Sequence, residues 1–404
     1  MKSNYILNDE WTKIKLSEII DTIENGNRPK GGIKDINEGI PSLGGEHLTK
    51  LGGFNFKKLR LVPQEYYDSL KRGKIKQNDV LVVKDGATTG KVSFVDNDFP
   101  FQEAAVNEHV FILRGKKDLV YPKFLFYHIF SPFGQLQVMA NFRGAAIGGI
   151  NTQFVKNYYI NLPSLETQEK IVKILEKAEK LKEWRAEADE LADDYLESIF
   201  YDMFGDPINN QKGYEKIKLE KLSKIRRGGS PRPIKNYLGG NVPWIKIGDG
   251  TKGDEIYIED TKEKITEDGL SKTVLLKKGS LIFANCGVSL GFARILKIEG
   301  CIHDGWLALE DIDPKLNKIY LLKLINSISD YFRKSAPDGT QPNLNTKIMK
   351  NFEIPVPPIT LQNQFAQIVQ KTETLKTHQS KSKQEIDNLF NTLMQKAFKG
   401  ELVC

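Results

Sequence analysis

The sequence predicts an α+β chain built twice: two globular domains related by a pseudo-twofold axis, each followed by a long helix, with the helices paired antiparallel as a coiled coil. Three observations predict it. A strand-to-helix junction is spelled twice, as NLPSLETQEKIVKILEKAEKL from Asn161 and as EIPVPPITLQNQFAQIVQKTETL from Glu353. Matching segments precede each junction in the same order. After each junction, apolar residues recur every three or four positions for about forty residues, a period that suits a helix seam.

The junctions align at an offset of 194: Asn151-Thr152 with Asn345-Thr346, Pro163 with Pro357, Gln168 with Gln362 and Leu181 with Leu375. Upstream, WTKIKLSEIIDTIENGNRP parallels YEKIKLEKLSKIRRGGSPRP, NDVLVVKDGATTGKV parallels GSLIFANCGVSLGFA, and AVNEHVFIL parallels CIHDGWLAL. The offset drifts from 203 to 194 while order is kept, as loop insertions and deletions produce. The expected partition is residues 1–163, a first domain; 164–206, its helix; 207–357, a second domain; and 358–404, its helix.

Within each domain, short apolar runs such as DVLVVK and SLIFAN, bounded by Gly, Asn and Asp, predict strands. YPKFLFYHIFSPF and NKIYLLKLINSIS predict helices. In the first long helix the apolar positions are Ile171, Ile174, Ala178, Leu181, Ala188, Ala192, Tyr195 and Ile199; in the second, Phe365, Ile368, Leu375, Ile386, Leu389 and Leu393 stand at matching places. Ile171, Ile174, Leu181, Phe365, Ile368 and Leu375 are the expected packing residues of the helix pair. Neither helix holds enough apolar surface to stand alone in water, so each needs a partner. Charge agrees: residues 165–200 carry net −5 and residues 359–400 net +3. Ser164 and Thr360 are the expected helix caps.

Hydrophobic residues at 40% and charged residues at 27% describe an ordinary globular chain, and a net charge of +7 permits a polyanionic partner without requiring one. Cys286, Cys301 and Cys404 form no CxxC and no zinc spacing. MKSNYILNDEW lacks an apolar signal segment, and no run approaches the ~18 apolar residues of a membrane span. A cytoplasmic protein without membrane association is expected.

Catalytic motifs are missing. GATTGKV follows a strand, yet it has three residues between its glycines where a phosphate-binding loop has four, and Val92 follows Lys91. There is no Asn/Asp-Pro-Pro-aromatic motif for a flipped base, no G-x-S-x-G and no paired histidine spacing, so no residue is assigned a catalytic or metal-binding role. What remains are basic and polar loops at equivalent places in the two domains. Arg and Lys there can neutralise phosphates, and Asn, Gln, Thr and Arg can read base edges. The candidates are Arg28, Lys30, Lys84, Thr88, Lys91 and Arg143 in the first domain, and Arg232, Lys246, Asn285, Ser289 and Arg294 in the second. The exchange of Lys91 for Phe292 suggests that the two domains read different bases.

The chain resembles the specificity (S, HsdS) subunits of type I restriction–modification systems. The resemblance rests on the order domain–helix–domain–helix, on KIKL opening each domain, on the junctions NLPSLETQEKIV and IPVPPITLQNQFAQIV, and on the helix ends YDMFGDP and LMQKAFKGEL. It covers essentially the whole chain. It implies two target-recognition domains, each reading one half of a bipartite asymmetric site in double-stranded DNA, with the helices setting the spacer. It also implies a non-catalytic subunit on which two methyltransferase subunits dock to methylate adenine N6, and to which restriction subunits can add. AdoMet, ATP and Mg2+ would belong to those partners, with no cofactor in this chain. Two other readings stand beside it: a stand-alone sequence-specific DNA-binding regulator or architectural protein, and an enzyme whose motifs are unrecognised.

Overall fold

The computed structural model describes residues 11–29, 36–144, 148–253, 255–287, 289–335 and 343–402. It divides into two units: residues 1–185 with 381–404, and residues 186–380. Each unit holds one globular α+β domain, the near half of one long helix and the near half of the other.

In the first unit a four-stranded antiparallel sheet runs in the order Ile20–Asn25, Val110–Gly115, Val80–Val83, Val92–Phe94. The DVLVVK run is its central strand, and the register explains why that run is apolar throughout. Val80, Val82, Phe111 and Leu113 face one core, packed on the helix Pro122–Phe130 and on the long helices. Leu81, Val83, Val110 and Ile112 face a second core, shared with Leu43 and Val106 of a smaller sheet. A strand covered on both faces has no solvent side on which to place polar residues. In the second unit the five-stranded sheet Lys224–Arg227, Trp306–Glu310, Leu281–Ala284, Ala293–Leu296, Tyr257–Ile258 repeats the plan. Phe283 pairs with Leu307 as Val82 pairs with Phe111, again with one core on each face. In each copy the segment that resembled a phosphate-binding loop is a hairpin turn. Gly86 and Gly90 take φ of +88°, and Gly287 and Gly291 take +79° and +104°, a region that favours glycine.

The KIKL openings form the short strands Thr12–Lys15 and Lys216–Lys218. Each pairs antiparallel with the strand leading into a long helix, Tyr159–Leu162 or Glu353–Pro355. The repeated glutamine then locks the helix to its domain. Gln168 is fully buried; its Nε2 donates to the carbonyls of Leu119 (3.0 Å) and Pro163 (2.9 Å), and its Oε1 accepts from Tyr121 N–H (2.8 Å). Gln362 does the same with Lys315 (2.9 Å), Pro357 (2.7 Å) and Asn317 N–H (2.8 Å).

The long helices run Leu165–Phe204 and Ile359–Lys399. The Ser164 hydroxyl accepts from Thr167 N–H (3.3 Å), whereas Thr360 lies inside its helix. The pairing is antiparallel. In the second unit Gln379 donates to Ala188 C=O (3.3 Å), while Phe200 lies 5.5 Å from Phe365, further along one helix and further back along the other. In the first, Lys182 pairs with Asp387 (2.9 Å).

Four of the six expected packing residues are buried or half-buried. Ile171 and Phe365 are fully buried, Ala178 and Ala192 are buried, and Ile174 and Ile368 are half-buried. Leu181 and Leu375 are corrected: they are 39% and 52% exposed. The second buried row lies four residues after the first, at Leu175, Leu196, Val369, Phe390 and Ala397. A step of four turns a residue to the other side of the stripe from a step of three. The side that wins faces the globular domain: Leu175 joins Phe124, Leu125 and Tyr127 in one cluster, and Val369 joins Leu321 and Tyr320 in the other. Each helix therefore buries a stripe shared between its partner helix and its domain, wider than a two-helix seam.

Candidate nucleic-acid interface

The same turn stands at the edge of both central sheets. In the first domain it links Ala105–Val106 to Val110–Gly115; in the second it links Gly300–Ile302 to Trp306–Glu310. Asn107 N–H donates to Leu43 C=O (2.9 Å), as His303 N–H does to Ile245 C=O (3.0 Å). Within the turn, Asn107 Oδ1 accepts from His109 N–H and His303 Nδ1 accepts from Gly305 N–H, both at 2.9 Å. Because Nδ1 accepts, its proton lies on Nε2 in the neutral ring.

Three other segments converge on each turn. The glycine after the first sheet strand approaches it closely: a Cβ on Gly26 would meet the carbonyl oxygens of Val106 and Asn107, and one on Gly228 those of Ile302 and His303. The end of the central strand is tied to it by Lys84 N–H to His109 C=O (2.9 Å) and by Asn285 N–H to Gly305 C=O (3.0 Å). The segment preceding each junction closes the cluster, with Ile150 N–H donating to Lys84 C=O (2.6 Å) and Leu344 N–H to Asn285 C=O (2.8 Å). Backbone bonds thus bring the same four loops together in both copies: the turn, the strand end and the pre-junction segment share their bonds, while Gly26 N–H donates to Asn107 C=O and Gly228 N–H to Trp306 C=O.

The side chains differ. In the first domain a chain of polar contacts crosses the cluster: Arg28 to Glu108 (3.8 Å), Glu108 to His109 Nε2 (3.3 Å), His109 Nδ1 to Asp85 (2.5 Å) and Asp85 to Lys84 (3.3 Å). Arg143 enters through its backbone, bridged to Gly149. In the second domain Arg227 Nε donates to Asp304 C=O (2.8 Å), Ser230 donates to the Asp304 carboxylate (2.7 Å), and His303 Nε2 lies 3.0 Å from that carboxylate. The His303 pKa is lowered, first by burial and then by Lys246, Arg232 and Arg227, with Asp304 opposing. The Cys286 thiol is pushed up, first by burial and then by Asp304.

The model of the type I restriction modification DNA specificity domain matches residues 8–188 and 211–388. The chain belongs to that family. It is 22% identical over 98% of its length to the MjaVIII specificity subunit of Methanocaldococcus jannaschii, covering 93% of that protein. It is 28% identical to the EcoBI specificity subunit of Escherichia coli, over 42% of this chain and 35% of that one. Among solved structures, a chain from a study of complex assembly and conformational transition in the type I R-M system aligns with a TM-score of 0.68 at 21% identity, covering 98% of this chain and 100% of that one. The S subunit from M. genitalium aligns at 0.54 and 19% identity, covering 98% of each chain.

The candidate residues of this specificity-family chain fall into three groups. Arg28, Lys84 and Arg143 stand at the first cluster; Lys246 and Asn285 stand at the second, and Arg232 follows Ser230 in the loop that bonds to Asp304. Lys246 is also paired with Glu263 (2.5 Å) and lies over the Trp244 ring. Asn285 is fully buried and donates to Asn343 Oδ1 (3.2 Å), so its side chain joins two of the converging loops. Three residues are held by nearby structure. Lys91 donates to Leu48 C=O (2.8 Å), Thr88 borders Gly45, and the Arg294 guanidinium lies over the Phe292 ring and donates to Ala293 C=O (2.8 Å). Ser289 is a half-buried turn residue, and Lys30 lies outside the described residues. Asp85, Glu108, His109, Arg227 and Asp304 also stand in the clusters and were not singled out from sequence. The signal was present: AVNEHVFIL and CIHDGWLAL carry an acid at the same register. Among the described residues, no group of His, Cys, Asp and Glu could hold a metal ion, and no helix is long and apolar enough to cross a membrane.

Proposed function

We propose that each of the two loop clusters reads one half of a bipartite, asymmetric site in double-stranded DNA. The long helices set the gap between the halves and dock two methyltransferase subunits. One observation carries this reading: the same four-loop cluster is built twice in one chain, with three main-chain bonds repeated from copy to copy and different side chains. Identical frames suit one task, approaching a duplex, and different side chains suit two base sequences. Arg28, Arg143, Arg227 and Arg232 would neutralise phosphates and fix register, while shorter polar groups discriminate bases. Once one half is bound the second contact is intramolecular, so the two selectivities multiply. A 40-residue helix spans about 60 Å, enough to hold two readers apart along one duplex.

On this reading the chain catalyses nothing. AdoMet serves the methyltransferase subunits, ATP and Mg2+ serve any restriction subunit, and the assembly works in the cytoplasm. The test is selection of duplexes from a randomised pool by the full-length chain, with methyltransferase subunits from the same source added in parallel. A bipartite, non-palindromic consensus is expected, as are co-purification with the methyltransferase and no methyl transfer by the chain alone. A continuous palindrome bound equally well without partners would favour a stand-alone regulator instead.

A further inference from the structure

At the tip of the shared turn both domains place a carboxylate, Glu108 in the first and Asp304 in the second, with side chains 29% and 36% exposed. The turn does not need it. Backbone bonds and the preceding residue, Asn107 or His303, close the turn. A carboxylate facing a polyanion is repelled by it, so its presence twice at one structural position calls for a compensating contact. Its neighbours are chosen to tolerate it: Arg28 and His109 beside Glu108, Ser230 and His303 beside Asp304, with Arg227 bonded to the Asp304 carbonyl. Acidic side chains accept from the N4 amino group of cytosine, which offers a donor on the major-groove edge.

Resting on the DNA-reading function above, we propose that Glu108 and Asp304 are specificity-determining residues, each accepting a hydrogen bond from the N4 amino group of one cytosine, one in each half-site. Arg28 screens Glu108 from phosphates, and the neighbouring donors Ser230 and His303 aim Asp304. Glu108 reaches one methylene further than Asp304, and the two are held by different partners, so the cytosine sits at a different depth in each half-site. The rival role is a loop staple, which the Ser230 contact would serve at Asp304. Among the described residues, Glu108 accepts no hydrogen bond from a neighbouring loop's hydroxyl; its partners Arg28 and His109 are exposed side chains.

The test compares the full-length chain with Glu108→Gln and Asp304→Asn, alone and with its methyltransferase subunits, in selection from a randomised duplex pool. Both amides keep an acceptor oxygen for the protein partners while losing the charge. Asn and Gln pair with adenine N6 and N7. Each variant should therefore lose about ten-fold or more in preference for cytosine at one position of its own half-site, moving toward adenine, with the other half-site unchanged. If the wild type selects a bipartite site and both variants select the same bases, the inference is wrong, whether or not melting temperature falls. A uniform loss of affinity at unchanged preference also overturns it. A wild type that selects no bipartite site refutes the function on which the inference rests, which is a different result. Should Asp304→Asn fail to fold, Glu108→Gln decides.

Discussion

Replacing Gln168 by leucine tests whether the repeated junction is a mechanical joint. The side chain is fully buried and holds three backbone groups: the carbonyls of Leu119 and Pro163, and the N–H of Tyr121. Leucine fills a similar volume and satisfies none of them. A buried backbone group left without a partner costs about 1–3 kcal/mol. Three such groups, partly offset by roughly 1–2 kcal/mol from the new apolar side chain, give a mid-range net loss of about 4 kcal/mol. For a unit of this size that lowers the melting temperature by about 8–16 °C. Gln362→Leu should do the same to the second unit, since its three bonds are the same in kind. The two losses should add, because the residues belong to different units and share no partner. Gln168→Glu is the control for charge. It retains an acceptor for Tyr121 N–H, loses both donations, and buries an ion unless protonated, so its deficit should shrink between pH 7 and pH 5. Thermal unfolding followed by circular dichroism, with tryptophan fluorescence in parallel, reads all four proteins. If Gln168→Leu melts within about 2 °C of the wild type, the buried bonds do not hold the helix as argued.

Three further outcomes follow from the structure. Leu175→Ala should cost about 3 kcal/mol, because the residue is fully buried among Phe390, Met394 and Phe124, whereas Leu181→Ala should cost about 1 kcal/mol or less, since no closed cavity forms at an exposed site; equal losses by urea denaturation would put the seam back on the step of three. His128 is fully buried with its pKa lowered to about 3 by burial, so its neutral form stabilises the fold fully above its ordinary value near 6.5 and that stability is lost as pH falls toward 3, by about 1.4 kcal/mol per pH unit. The same melts in His128→Gln should lack that slope between pH 6.5 and 4.5, and an unchanged slope would assign the acid sensitivity elsewhere. Arg232→Ala should weaken DNA binding by ~1–3 kcal/mol if it reads a guanine, or reduce the salt dependence by about one phosphate if it only neutralises charge; unchanged affinity, selectivity and salt dependence would remove it from the interface.

Much of this was legible in the sequence, and what was not has definite causes. Duplication fixed the order of elements because DVLVVK and SLIFAN fill the same central strand, apolar on both faces. The helix period located Ile171 and Phe365 correctly, but a 3.5-residue repeat contains steps of both three and four. Choosing between Leu181 and its alternatives required knowing on which side the domain lies, and that is tertiary information. Lys246 meets Glu263 from seventeen residues away, a pairing set by antiparallel strands rather than by spacing. The convergence of Gly228, Asn285 and Leu344 on the His303–Asp304 turn is a tertiary arrangement that sequence spacing does not encode.

The division of labour inside each domain explains how one scaffold can carry two specificities. Stability is vested in cores behind the sheet, such as Val80, Phe111 and Leu175 in the first unit and Leu281, Leu307 and Val369 in the second. The loop clusters in front are positioned by main-chain bonds that repeat from copy to copy: Lys84 N–H with Asn285 N–H, Ile150 N–H with Leu344 N–H, Asn107 N–H with His303 N–H. Main-chain bonds are indifferent to side-chain identity, provided glycine remains at Gly26 and Gly228, where a Cβ would strike carbonyl oxygens. Exposed charge pairs such as Arg28–Glu108 add little to folding. Substitution of the exposed charged residues of the clusters is therefore cheap in stability and free to change recognition, while substitution at Gln168 or Gln362 is costly and changes only how firmly the reader is mounted. A chain duplicated under those rules keeps its joints and cores and diverges at its loops, which is the pattern the two halves display.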